Sequence, residues 1–268
     1  LGNSLLPMLQ KYGAVWAPSR FELDFANPET IPRSITEFRP GLIVNAAAYT
    51  AVDAAEQHRK LCNLVNVKSP RSLAQAAQKL DIPIIHFSTD YVFDGSSLQP
   101  YKESDQTNPL QVYGQSKLDG EIAVKDAWDR HWIVRTSWVV DPASGVNVYR
   151  TMFRLFCERK EVRVVNDQIG APTSVAFLVK NLETVVRKLA LSDWDYNQYG
   201  LYHLVGHRSM SWFEFAKEIF HETKGDHRNS DCKIIPIATS ELKVPARRPS
   251  NSVLCYQKWV DNFGLVKN

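Results

Sequence analysis

The sequence predicts an α/β protein: a Rossmann-like, doubly wound parallel sheet with a smaller C-terminal substrate-binding lobe. Three observations carry this expectation. Short apolar runs alternate with helix-periodic stretches, the pattern of parallel strands joined by helices. The alternation loses its regularity after about residue 140, which divides the chain into a first region, 1–140, and a second, 141–268, partly interleaved with it. A hydroxyl residue, Thr89, closes one apolar run, and a Tyr and a Lys four residues apart, Tyr113 and Lys117, follow it.

The elements follow in order. Residues 3–12 read as a helix with Leu5, Leu6 and Leu9 inward and Gly13 as its stop. Residues 14–17 read as a short strand. Asn27-Pro28 is an N-cap and first-turn pair, opening a helix with Ile31, Ile35 and Phe38 on one face. Residues 42–46 are a buried strand, 67–80 a helix and 82–88 the next strand. Asn108-Pro109 opens the helix that carries Tyr113 and Lys117, and 132–136 is a fourth strand. Beyond it, 146–159, 174–189 and 211–222 read as helices, the last capped by Ser211, and 201–205 reads as a strand.

Composition narrows the function. A net charge of +3 with scattered basic residues gives no reason to expect a nucleic-acid partner. No apolar run is long enough to span a bilayer, and the opening Leu1-Gly2-Asn3-Ser4 lacks the basic region of a secretory signal. Cys62, Cys157, Cys232 and Cys255 have no metal-binding spacing and read as reduced thiols of a cytoplasmic protein; no metal is expected.

On a helix, positions i and i+4 share a face, so Tyr113 and Lys117 can reach one cleft. A nearby positive charge lowers a phenol's pKa from about 10. A phenol tuned in that way exchanges a proton with a carbonyl oxygen near neutral pH, as hydride transfer to a carbonyl carbon requires. The spacing alone is a weak signal, equally met by a solvated Lys beside a half-buried Tyr. Its surroundings give it weight.

Those surroundings are six motifs in order: Asn45-Ala46-Ala47-Ala48-Tyr49-Thr50-Ala51-Val52-Asp53, Ser88-Thr89-Asp90-Tyr91-Val92-Phe93-Asp94-Gly95, Tyr113-Gly114-Gln115-Ser116-Lys117-Leu118, Arg135-Thr136-Ser137-Trp138-Val139, Asn166-Asp167-Gln168-Ile169-Gly170-Ala171-Pro172-Thr173 and Arg248-Pro249-Ser250-Asn251-Ser252. Together they resemble the extended short-chain dehydrogenase/reductase family, in its sugar-nucleotide reductase branch, over nearly the whole chain. The resemblance implies reduction of the C4 keto group of dTDP-4-dehydro-6-deoxy-L-mannose to dTDP-L-rhamnose. Tyr113 is then the general acid, Lys117 lowers its pKa and holds the nicotinamide ribose, and Thr89 donates a hydrogen bond to the same carbonyl oxygen. Asp90, Trp138, Arg248 and Asn251 fall on the substrate side, with Trp138 as a platform for the sugar and Arg248 and Asn251 toward the diphosphate. Asp167-Gln168 and Pro172-Thr173 border the pocket.

On the cofactor side the resemblance places Gly2, Asp24, Phe25, Ala47, Ala48, Tyr49 and Thr50, beside Tyr113 and Lys117. Ser19-Arg20 stands where an acidic residue would bind a ribose 2′-hydroxyl, which favours NADPH, with NADH as the alternative. The chain reads as starting inside the glycine-rich turn, with Gly2 as its third glycine, and weak cofactor binding is expected if so. The expected partner is a dTDP-sugar, with neither nucleic acid nor membrane, and a homodimer is compatible. Two alternatives stay open: a non-catalytic regulatory subunit of the methionine adenosyltransferase type, and another NAD(P)-dependent sugar-nucleotide reductase or epimerase.

Overall fold

In the computed structural model, which describes residues 1–191, 195–224 and 231–266, the chain alternates helices and strands along most of its length. α1 (Gly2–Leu9) buries Leu5 and Met8 rather than Leu6. α2 (Ile31–Phe38) follows a short 3-10 turn and buries Ile31 and Ile35, while Phe38 stays exposed against Trp16. Asn27 does not cap it through its side chain; its backbone carbonyl takes both the amide and the hydroxyl of Thr30. β1 (Ile43–Asn45), α3 (Val52–Ala55), α4 (Arg59–Asn63) and α5 (Ser69–Leu80) come next. β2 (Ile84–Thr89), α6 (Val112–Ala127) and β3 (His131–Thr136) complete the first region.

The remaining elements are β4 (Val139–Val140), α7 (Val148–Glu158), β5 (Glu161–Val165), β6 (Ile169–Gly170), β7 (Thr173–Ser174), α8 (Val175–Ala190), β8 (Gly200–His203), β9 (Met210–Ser211), α9 (Trp212–Glu222), β10 (Lys233–Ile237) and α10 (Gln257–Phe263). Ser211 caps α9 in a reciprocal pair with Glu214. The parallel pair of β5 and β10 was not expected. Both strands are short, and their partnership spans some seventy residues of chain.

β1, β2, β3 and β8 form a parallel sheet in that order. Every residue of β2 and β3 is buried, as strands covered on both faces must be. Successive side chains point to opposite faces. Ile84 and Ile133 therefore join Ile31, Ile35, Leu73 and Val124 beneath α2, α5 and α6. Ile85, Trp132 and Val134 join Leu5, Leu178, Leu182, Trp259 and Phe263 beneath α1, α8 and α10. A third cluster, including Trp138, Phe156, Val162, Phe215 and Ile219, is formed by later elements alone.

The expected strand at 14–17 is absent. An extended segment becomes a strand only when a neighbour supplies ladder hydrogen bonds, and β1 pairs only with β2 among the described strands. Trp16 still packs against the cluster that holds Ile43. Among the described residues, no helix is long and apolar enough to cross a membrane.

The core holds neutral histidines. Asn45 Nδ2 donates to His86 Nδ1 at 2.9 Å, which puts the ring proton on Nε2, where it finds no partner. Burial, then the charge of Lys117, lowers the His86 pKa well below its ordinary value. Burial, then Arg135, lowers that of His203 to about 3, and burial also lowers that of His131. The unfolded chain therefore takes up these protons first, and stability falls as pH drops below about 6.5, for His203 by about 1.4 kcal/mol per pH unit until its own midpoint is reached. Asp90, raised to about 6, acts in the opposite sense and offsets part of the loss. Urea denaturation at pH 7 and pH 5 is expected to show a clearly lower midpoint at pH 5.

Candidate active site

The carboxyl ends of β1 and β2 and the first turns of α6 meet at one place. Thr89 ends β2, and its Oγ1 accepts from Tyr91 N at 3.2 Å, starting a tight turn over Asp90–Val92. α6 begins at Val112, not at Asn108-Pro109. Gln111 is its N-cap, and Gln111 Oε1 accepts from Gly114 N at 2.8 Å. The glutamine carbonyl satisfies one of the first-turn amides that have no partner within the helix.

Gly114 brings this turn against the Asp90–Val92 turn. A Cβ there would overlap the Tyr91 carbonyl oxygen and Gln111 Oε1. Gly114→Ala is expected to cost about 1–3 kcal/mol through overpacking, and to shift Tyr113 with its turn. A thermal melt read beside kcat checks both effects.

Tyr113 is partly exposed, with its ring edge-on to Tyr91 at 6.1 Å between centroids. Its phenol sits in dense surroundings that raise its pKa above the ordinary value, and its hydrogen bond with Thr89 is the first opposing influence. Lys117 is buried, and its Nζ donates to the Phe87 carbonyl at 2.6 Å. Burial lowers its pKa to about 8, against the carboxylate of Glu121. This corrects the expected lowering of the Tyr113 pKa by Lys117. The ammonium is held toward the sheet backbone, and burial is the main influence on the phenol.

Asp90 is buried at 3 % exposure, and its Oδ1 accepts from Thr89 Oγ1 at 3.0 Å. Burial pushes its carboxyl up to about 6, with the hydroxyls of Ser252 and Thr89 opposing. Beneath the site, Arg135 donates to both oxygens of Glu121, at 2.9 and 2.7 Å, and Ser88 donates to the same carboxylate. That pair ties α6 to β3 and was not foreseen, although Arg135 lies in a quoted motif.

The small residues gather at the head of the sheet. Gly2 opens α1 without a side-chain cap and lies beside Ala46, while Ala47 is exposed. Tyr49 is held by both its amide and its carbonyl to the side chain of Asn66, at 2.8 and 3.1 Å, and its hydroxyl meets His58 Nδ1 at 2.8 Å. Thr50 is exposed beside it. Asp24 accepts from Ala26 N and pairs with the exposed Arg20 at 3.6 Å, and Phe25 packs on the sheet.

The C-terminal motif docks on the β2 motif. Gly95 has φ +83, and a Cβ there would overlap Pro249 and the Ser250 amide. Ser250 Oγ donates to the Gly95 carbonyl, and Asn251 Nδ2 donates to the Ser97 carbonyl at 2.8 Å. Arg248 grips Asp53 through two bonds, of 2.9 and 2.7 Å. The guanidinium fork expected at a diphosphate is thus engaged by a carboxylate of α3. Trp138 has φ +44 and stacks on Trp212 with centroids 3.3 Å apart. Gly170 lies against the Nε1 side of the same indole. The expected open platform is a buried stack, because α9 supplies a second indole to cover it. Asp167 and Gln168 are both held to Thr239, the first through its amide and hydroxyl and the second at 3.0 Å.

The RmlD substrate binding domain family matches residues 1–268. The chain belongs to this family. Its sheet, its Thr-Tyr-Lys cluster and its docked C-terminal motif are therefore those of a member. It is 42 % identical over 244 residues to the dTDP-4-dehydrorhamnose reductase of Escherichia coli (strain K12), covering 91 % of this chain and 80 % of that protein. A solved dTDP-4-dehydrorhamnose reductase from Bacillus anthracis, in complex with NADP, superimposes with a TM-score of 0.84 at 35 % identity, covering 98 % of this chain and 90 % of that one. The counterpart from Clostridium acetobutylicum gives a TM-score of 0.85 at 36 % identity, over 96 % and 87 % of the two chains. The parallel sheet is common to this chain and to both solved structures.

Proposed function

We propose that this chain reduces the C4 keto group of dTDP-4-dehydro-6-deoxy-L-mannose to dTDP-L-rhamnose, using NADPH. The observation that carries the reading is the meeting of Thr89, Tyr113 and Lys117 at the carboxyl end of a parallel sheet, in a member of this family. The small residues Gly2, Ala46, Ala47 and Ala48 fit a dinucleotide, because they let it approach the backbone there. When bound, the nicotinamide supplies a hydride to the carbonyl carbon.

The chain's own groups do the rest. Tyr113 gives its phenolic proton to the C4 oxygen, and its dense surroundings keep that proton in place until then. The Thr89 hydroxyl donates to the same oxygen and stabilises the charge that develops on it. Lys117 has three ammonium donors, and the two not given to Phe87 can reach ribose hydroxyls. Asp24, Phe25, Tyr49 and Thr50 frame the cofactor, and the cation of Arg20 favours NADPH over NADH. Asp90, Trp138, Arg248 and Asn251 fall on the substrate side, with Arg248 exchanging Asp53 for phosphate oxygens. The region 1–140 holds the cofactor, and 141–268 supplies most of the substrate lobe.

The relatives named above are reductases by name, which favours this reading over the regulatory-subunit alternative. We assign the enzyme to the cytoplasm, in keeping with its four free cysteines, and a homodimer is compatible with the reading. The test is NADPH oxidation with the dTDP-keto-sugar, followed by absorbance. Turnover supports the reading. A chain that binds NADPH and leaves this sugar untouched refutes it.

A further inference from the structure

Thr89 Oγ1 stands at a hydrogen-bond junction. It accepts from Tyr91 N at 3.2 Å and donates to Asp90 Oδ1 at 3.0 Å. A hydroxyl has one proton and two lone pairs. While Asp90 is a carboxylate, that proton is committed to Asp90, and a lone pair takes Tyr91 N–H. Nothing remains to donate to a substrate carbonyl. A neutral Asp90 reverses the bond. Its carboxyl O–H then donates to Thr89, and the Thr89 proton is released toward the cleft.

We propose that Asp90 is a positioning residue of the reduction: its carboxyl proton turns the Thr89 hydroxyl away from Asp90 and onto the substrate carbonyl oxygen. The inference rests on the reductase reading above. Burial favours the neutral form, because Asp90 is 3 % exposed and its Oδ2 finds no donor at hydrogen-bonding geometry. An ionised carboxylate with one oxygen unserved is costly in such surroundings. The pKa of about 6 agrees with this placement. The groups that face it are Tyr91 on its own turn, Tyr113 from α6, the Ser252 hydroxyl from the C-terminal motif, and the Asp53–Arg248 pair beyond Tyr91.

The test is kcat against pH for the wild type and for Asp90→Asn. An asparagine amide donates at every pH and so imitates the neutral acid. Wild-type kcat is expected to fall about tenfold per pH unit above the Asp90 midpoint in the substrate complex. In Asp90→Asn that limb disappears. An Asn variant that is slower at every pH but keeps the wild-type limb overturns the proposal, since a merely structural role would give that result. Carbon-13 NMR titration of the carboxyl groups needs neither turnover nor a folded Asn variant. The Asp90 midpoint is expected to rise in Thr89→Val, which removes the bond to the ionised form. A midpoint that does not move overturns the coupling and leaves the reductase reading standing. A wild type inert toward the keto sugar at every pH refutes that reading instead, while the titration still measures the Asp90–Thr89 bond.

Discussion

Tyr113→Phe is expected to lower kcat by about 10²–10⁴-fold, the usual contribution of a positioned general acid. The substitution removes one oxygen and keeps the ring, so the edge-on contact with Tyr91 survives. NADPH affinity, measured by fluorescence titration, is expected to change little, because Lys117 and the small residues at the sheet end are untouched. A loss confined to kcat identifies Tyr113 as the proton donor. An unimpaired kcat refutes that role.

The second large effect is structural. Glu121→Ala is expected to destabilise the fold by about 3–5 kcal/mol, because it leaves the guanidinium of Arg135 buried without its counter-ion. Both side chains are almost fully enclosed, at 3 % and 6 % exposure, and both carboxylate oxygens are bonded to Arg135. The change also strands the Ser88 hydroxyl. Replacing the pair together, Glu121→Leu with Arg135→Met, is expected to recover much of the loss, since no buried charge is then left alone. Urea denaturation of the three chains checks this. A single variant as stable as the wild type would show that the pair does not hold α6 to the sheet.

Much of the fold was legible because its signals are local. Consecutive apolar residues such as Ile84 and Ile85 serve opposite faces of a covered strand, and that is readable from a run of six residues. Ser211 followed by Glu214 announces a helix start, and the helix starts there. The i, i+4 spacing of Tyr113 and Lys117 placed both on one helix. Where local signals misled, a distant partner decided. Residues 14–17 have strand character and no ladder, and Asn108-Pro109 yielded the start of α6 to Gln111, whose side chain reaches an amide three residues on.

The site divides in the same way. From the chain alone came the fold class, the order of the motifs, and the identities of Thr89, Tyr113 and Lys117. The tertiary structure decided what those groups are bonded to. Arg248 meets Asp53 across 195 positions, Trp138 meets Trp212, and Lys117 turns to the Phe87 carbonyl. Spacing along a helix fixes which residues can share a face. Proton affinity depends instead on burial and on the partners in reach, and both are set by segments far away in the chain. For that reason the placement of Tyr113 and Lys117 on one helix could be read in advance, while the bonds of Lys117 to Phe87 and of Thr89 to Asp90 could not.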